Sequence, residues 1–191
     1  MNYPNAAKGL KMMFWAEIAA IIAAVFAIIP LIGVIGSLAA IACSVISILG
    51  VYTAGKDDEG YKKAFTFTII SLVGAVVGAC LGFIPVVGTI LASLISIACS
   101  ILDLLVTYYV ITTSANILRG IGANEIADKG MNVWKMVMFC TIAGVIISLI
   151  ALIPIVNIIA GVLAIVVAIV ELIANILYLM FLFKSYKALG A

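Results

Sequence analysis

The sequence predicts an all-α integral membrane protein with six transmembrane helices, arranged as three tandem helical hairpins in an internal threefold repeat. The first observation is composition: the chain is 67% hydrophobic and 9% charged, with a mean hydropathy of +1.42. Soluble domains have only about half apolar residues. The second observation is that the apolar residues form six long runs, and each run can supply the roughly 20 residues that a bilayer core of about 30 Å requires. One transmembrane domain therefore accounts for residues 1–191.

The third observation is a short apolar turn that recurs between pairs of runs. Its landmarks are Pro30 with Gly33, Pro85 with Gly88, and Pro154 with Asn157. Proline lacks an N–H and disfavours helix in the residue before it, while Gly and Asn tolerate a left-handed backbone. Each turn thus predicts the bend of a hairpin, and the hairpins are expected at about residues 12–54, 64–113 and 135–183. The predicted helices are 12–29, 33–54, 64–84, 88–113, 135–153 and 157–183.

The ten basic residues lie outside these three bends. The positive-inside rule therefore places both termini in the cytoplasm. We expect the membrane itself to be the cytoplasmic (plasma) membrane. The same rule also makes two polar stretches cytoplasmic loops, at about 55–63 and 114–134. Within the second loop, Asn124–Gly130 is predicted to form a separate short helix with an Asn cap and a Gly stop.

The hairpins also align with one another. The match of Ser37-Leu38 and Ile41–Ser44 to Ser93-Leu94 and Ile97–Ser100 brings Ser47 onto Asp103, and a further shift of 68 brings Asp103 onto Glu171. Membrane transporters commonly place a site at a repeat interface. We therefore expect the even-numbered helices to surround the centre in a pseudo-threefold arrangement. The ion- or proton-binding candidates are Asp103, Glu171, Ser47, Ser100, Thr107, Asn175 and Glu17.

A charged Asp103 or Glu171 would be energetically costly within the membrane. A charged acid near mid-span costs about 2.5–3.5 kcal/mol on insertion scales, and no basic side chain lies within the apolar runs to pair with Asp103 or Glu171. Either they are protonated and hydrogen-bonded for structural reasons, or they line a wet cavity that accepts a cation or proton. Glu17 is nearer the membrane surface, where we expect a structural role: it either reaches the interface or bonds to Lys11 or Lys135.

The odd-numbered helices carry stripes of small residues, which let helix backbones approach each other. The third helix has Gly74, Gly78 and Gly82, and the fifth has Cys140, Gly144 and Ser148. These stripes indicate close packing within the chain or, most plausibly for the third helix, an oligomer face.

The same residues exclude several functions. The chain has no histidine and its four cysteines show no Cys-x-x-Cys spacing, so we expect no metal, no cofactor and no enzymatic activity. No basic patch is large enough to predict nucleic-acid binding. Two interpretations remain for a protein whose surroundings are the lipid bilayer. One is a small carrier or channel for a cation or proton; the other is a non-transporting scaffold, assembly factor or subunit of a larger membrane complex, or a homo-oligomer, with Glu125 and Asp128 as contacts for a partner.

Overall fold

The computed structural model describes residues 3–27, 33–84, 87–151 and 157–190, and all regular structure in these ranges is α-helical. Each of the six helices is long and apolar enough to cross a membrane, which confirms the predicted all-α membrane fold. The helices are α1 (Pro4–Ala27), α2 (Gly33–Ala54), α3 (Glu59–Leu81), α4 (Val87–Gly120), α5 (Asn124–Ala151) and α6 (Asn157–Ala188).

The helices pack in a closed order. Each helix contacts its neighbours in sequence, and α1 also contacts α6. Among the even-numbered helices, α4 touches α6, but in the described part of the chain α2 packs chiefly on α1 and α3. The expected central arrangement of all three even helices is therefore wrong. The reason is the close contact between Gly50 of α2 and Gly9 of α1. Because the backbones approach so closely there, the described buried side of α2 packs chiefly against α1 rather than against α4 or α6.

The buried core lies at one end of the bundle, which we call the charged end: the end containing Pro4, the turn at 55–58, the turn at 121–123 and the last turns of α6. One buried cluster joins all the helices except α5 and includes Leu10, Val51, Tyr61, Val110 and Leu182. A second joins α4, α5 and α6 and includes Ile111, Leu118, Ala127, Val133 and Phe181. The two clusters hold the helices together where the connections are shortest.

Two aspartates organise the turn between α2 and α3. Asp58 is the N-cap of α3 and accepts a hydrogen bond from the Gly60 N–H at 2.7 Å. Asp57 reaches across to the start of α1, where it accepts hydrogen bonds from the Ala6 N–H and from the Asn5 side-chain amide, both at 2.7 Å. The turn is shorter than the predicted loop 55–63, because this capping lets α3 begin at Glu59.

Asp57→Ala is expected to lower the free energy of unfolding by about 1–2 kcal/mol, because it removes two charge-assisted hydrogen bonds at a helix N-terminus. Thermal unfolding in detergent measures the effect. Asp128→Ala is the control, since Asp128 pairs with Arg119 on the surface with 69% of its side chain exposed, and exposed ion pairs contribute only about 0–1 kcal/mol. Equal destabilisation by the two changes would contradict the capping role of Asp57.

The corner between α4 and α5 also differs from prediction. The separate helix at 124–130 and the long loop 114–134 are wrong, because α4 continues to Gly120 and α5 is one helix from Asn124 to Ala151. The stop is Gly122, with φ of +82°. The Ala123 N–H donates to the Leu118 carbonyl at 2.8 Å and the Gly122 N–H to the Arg119 carbonyl at 3.1 Å, the two bonds of a Schellman motif. Gly130 instead lies inside α5, where any Cβ would overlap the Phe181 ring of α6.

The predicted bend prolines Pro30, Pro85 and Pro154 lie outside the described residues. Of their partner residues, Gly33 and Asn157 are the first residues of α2 and α6, and Gly88 is the second residue of α4. All three are helical rather than left-handed, which corrects the reason given for them. At Gly88 the requirement is space: an added Cβ would overlap the Leu81 carbonyl oxygen and lie 2.6 Å from Cβ of Ile84.

The first helix also starts earlier than predicted. It begins at Pro4 and not near residue 12, because proline is well suited to the first position of a helix.

Candidate functional site

A polar cleft of about 370 Å³ opens between α4, α5 and α6. Both predicted acids line it, Asp103 from α4 and Glu171 from α6, together with the predicted Ser100 and Thr107. The two acids lie on different helices and are 68 positions apart in the chain. The cleft thus brings together four of the seven candidate residues, Asp103, Glu171, Ser100 and Thr107.

Asp103 is oriented by a neighbouring helix. The buried Ser71 hydroxyl of α3 donates to the Asp103 Oδ1 at 2.7 Å. On its own helix, the Thr107 hydroxyl donates to the Asp103 main-chain carbonyl oxygen at 3.0 Å and not to the Asp103 carboxylate. One carboxylate oxygen is therefore held by Ser71 while the carboxyl group remains open to the cleft.

Glu171 reaches the cleft across a glycine. A Cβ added at Gly144 of α5 would lie 3.8 Å from the Glu171 Oε1, so the missing side chain leaves room for the carboxylate. No hydrogen bond joins Glu171 to another described residue. Its carboxylate consequently faces the same open space as that of Asp103.

Three further hydroxyl residues line the cleft that were not among the predicted site residues: Ser96, Thr141 and Ser148. Thr141, Gly144 and Ser148 follow the i, i+3, i+7 spacing of one helix face. Gly144 and Ser148 are predicted from the sequence to belong to a packing stripe, but the hydroxyls of Thr141 and Ser148 on either side of Gly144 mark this face of α5 as polar. By contrast, Gly74 and Gly78 of α3 do pack within the chain, against α4. A Cβ added at Gly74 would lie 2.8 Å from Cys99 Sγ, and one added at Gly78 would lie 3.3 Å from Ile95 Cγ2.

Glu17 and Ser47 lie elsewhere. The Ser47 hydroxyl donates to the Glu17 Oε1 at 3.5 Å across the α1–α2 contact, and neither residue lines the cleft. Lys11 and Lys135, the expected partners of Glu17, form no ion pair with it among the described residues. The hydroxyl of the neighbouring helix is closer to Glu17 than either lysine tip, which explains this correction. Asn175 is exposed and also lies outside the cleft lining.

Two acids accept a hydrogen bond from a hydroxyl of a neighbouring helix. The Ser47 hydroxyl donates to Glu17, 30 residues earlier, and the Ser71 hydroxyl donates to Asp103, 32 residues later. Thr141 and Glu171 line the same cleft and are also 30 residues apart. Glu17 lies on α1, whereas Asp103 lies on α4 and Glu171 on α6. Glu17 is therefore part of the α1–α2 contact, and Asp103 and Glu171 share one cleft.

The two acids predicted to contact a partner have partners within the chain. Arg119 Nη2 lies 3.0 Å from Asp128 Oδ1, which ties the end of α4 to α5. Lys129 Nζ pairs with Glu125 Oε1 one turn away on α5. A partner surface at these residues stays a prediction.

The lining of the cleft limits its chemistry. Its described side chains supply two carboxyl groups and five hydroxyls and include no basic group. Oxygen ligands of this kind suit hard cations and proton transfer. No group of three or more His, Cys, Asp or Glu residues that could hold a metal ion occurs in the described ranges. Comparison of the chain with protein-family models, with curated proteins and with solved structures gives no match.

Proposed function

We propose that this protein is a small membrane carrier or channel that moves a cation or a proton through the cleft between α4, α5 and α6. The observation that supports it is the meeting of Asp103 and Glu171 in one hydroxyl-lined space. Two carboxyl groups within an apolar bundle are costly unless water, a cation or protons compensate them. A passing cation or proton would compensate both acids at once.

We propose further that the charged end faces the cytoplasm. All ten basic residues lie toward that end, which is the side that the positive-inside rule assigns to the cytoplasm. Both chain termini would then be cytoplasmic. The cleft would then lie within the membrane, between the tightly packed charged end and the more loosely packed opposite end of the bundle.

Reconstitution of the pure protein into proteoliposomes tests the transport proposal. Fluxes of protons, Na⁺ and K⁺ are measured with entrapped fluorescent indicators, against liposomes prepared without protein. Flux of at least one of these ions above the protein-free level is expected. Equal flux with and without protein for all three would contradict the proposal.

Gly144→Leu is expected to reduce that flux by about tenfold or more, because an apolar side chain would occupy the cleft beside Glu171 and hydrophobic constrictions exclude water from ion paths. Among the described residues, an added Cβ at Gly144 has no other neighbour within 4 Å, so the fold should tolerate the change. Flux and thermal unfolding are measured on the same preparation.

Gly161→Leu is the matched control. It makes the same substitution in α6 at an exposed glycine, where no described residue lies within 4 Å of an added Cβ. We expect unchanged flux for this variant. If Gly144→Leu also transported at the original rate while remaining folded, the cleft would not be the path.

A further inference from the structure

Two apolar grooves run along α6, one on each side of Met180, and both end at Lys184. The groove between α5 and α6 has a volume of about 390 Å³ and includes Met136, Leu177 and Phe181. The groove between α1 and α6 has a volume of about 470 Å³ and includes Phe14, Ile176 and Phe183. Met180 and Lys184, one helical turn apart, line both. Met180 thus forms a ridge between two grooves that share one cationic end.

The shared end is polar and positively charged. Lys129 and Asn132 of α5 lie with Lys184 at the head of the α5–α6 groove. Lys129 is already paired with Glu125, and Lys184 also interacts with that carboxylate through space. Among the described residues, no carboxylate lines either groove. The other ion pair in the described part of the chain, Arg119–Asp128, lies outside both grooves. The two lysines and the one glutamate therefore leave a net charge of +1 at the groove heads.

The position of this charge fits the level of the lipid headgroups. Lys184 lies in the last two turns of α6, and Lys129 in the second turn of α5, so both are at the charged end of apolar spans. Lysine side chains near helix ends extend toward the interface. Below them, Met180 is 49% exposed and Ile176 also 49% exposed, so the ridge faces outward. Basic pockets between transmembrane helices are typical sites for anionic lipid headgroups.

We propose that Lys184, with Lys129 and Asn132, binds the phosphate of an anionic two-chain phospholipid whose tails lie in the two grooves on either side of Met180. Two grooves that end at the same lysine match the two tails and one anionic headgroup of such a lipid. A helix from a partner protein would fill only one of the grooves. The headgroup charge provides the selectivity, because tails exchange one apolar environment for another. This site is separate from the polar cleft and does not depend on the transport proposal.

Native mass spectrometry of the detergent-purified protein, titrated with phosphatidylglycerol or phosphatidylcholine, tests the site. Phosphatidylglycerol is expected to bind the unaltered protein more tightly than phosphatidylcholine. Lys184→Gln should weaken the first phosphatidylglycerol binding step by about fivefold, the effect of one lysine near an anionic headgroup. Binding of phosphatidylcholine should not change.

Lys187→Gln is the matched control. It removes the same charge one turn further along α6, where Lys187 stacks on the Phe183 ring at 4.2 Å and lines neither groove. A second variant, Met180→Trp, widens the ridge without altering charge and should weaken phosphatidylglycerol binding as well. Equal binding of the two lipids, an equal loss in Lys187→Gln, or a dimer mass that excludes lipid from the protein would each overturn the proposal.

Discussion

The Asp103→Asn, Glu171→Gln double variant is expected to lose ion flux to the level of protein-free liposomes while remaining folded. Both amides keep the size of the acids they replace, and the amide of position 103 can still accept a hydrogen bond from Ser71. What disappears is the ability to carry negative charge or a transferable proton in the cleft. Flux measured by indicator dye and thermal unfolding measured in detergent give the two readouts.

Glu17→Gln is the control that makes this result specific. Glu17 is the third acid within the apolar spans, but it bonds to Ser47 across the α1–α2 contact and does not line the cleft. Its loss should leave the flux unchanged. Flux that persists in the double variant, or that Glu17→Gln removes equally, would contradict the assignment of the path to the cleft.

The same experiment separates transport from a purely structural role. If the acids served only the fold, their neutral amides would leave the protein equally stable or more stable, because the cost of placing charge in an apolar region is removed. The non-transporting interpretation therefore predicts no flux in any sample and a thermal midpoint that is equal or higher in the double variant. Loss of flux with an unchanged midpoint is the result that only the carrier or channel predicts.

The number of helices and the polar face of α4 could be predicted from the sequence, since both follow from periodicity. Runs of about 20 apolar residues identify the spans. The spacing of Ser100, Asp103 and Thr107 places them on one face of α4. These two inferences need only the geometry of single helices, whereas the cleft shared by Asp103 and Glu171 also depends on how α4, α5 and α6 pack together.

Inferences that depend on contacts between helices failed for a physical reason. A glycine in the sequence can mark a turn, a left-handed stop or a close approach, and the choice depends on what lies opposite. The sequence predicts that Gly130 ends a helix, but Gly130 lies inside α5 against the Phe181 ring, and Gly122, eight residues earlier, ends α4. Nothing in the sequence distinguishes them, because only the position of α6 makes Gly130 necessary.

The partners of the acids were uncertain for the same reason. Lys11 lies six residues from Glu17 in the sequence, but the structure puts the Ser47 hydroxyl of α2 within reach instead. Hydroxyls are common in membrane helices, so a serine 30 residues away is not a distinctive signal. The contribution of Ser71 to Asp103 could likewise be found only once α3 and α4 were packed together.

The contact between Gly9 and Gly50 sets the distance between α1 and α2, and Gly9→Leu is expected to destabilise the protein severely. A Cβ at Gly9 would overlap the Gly50 carbonyl oxygen and lie 2.7 Å from the Ala54 nitrogen, and both obstacles are backbone atoms. A Cβ at Gly50 would in turn lie 2.8 Å from the Gly9 carbonyl oxygen. Rotamer changes cannot relieve such overlaps, so the two helices must separate.

That separation would open the buried cluster that includes Leu10, Met13 and Val51. Overpacking of this kind typically costs about 1–3 kcal/mol and occasionally more, and a site closed by backbone on both sides belongs at the upper end, so we expect a loss of about 3 kcal/mol. Thermal unfolding in detergent measures it. Gly120→Leu is the control at the same end of the bundle, because no atom of the part of the chain that the structure describes lies within 4 Å of a Cβ added there. If both variants unfolded at the temperature of the unaltered protein, α1 and α2 would not be held by this glycine contact, and the commitment of α2 to α1 would need another cause.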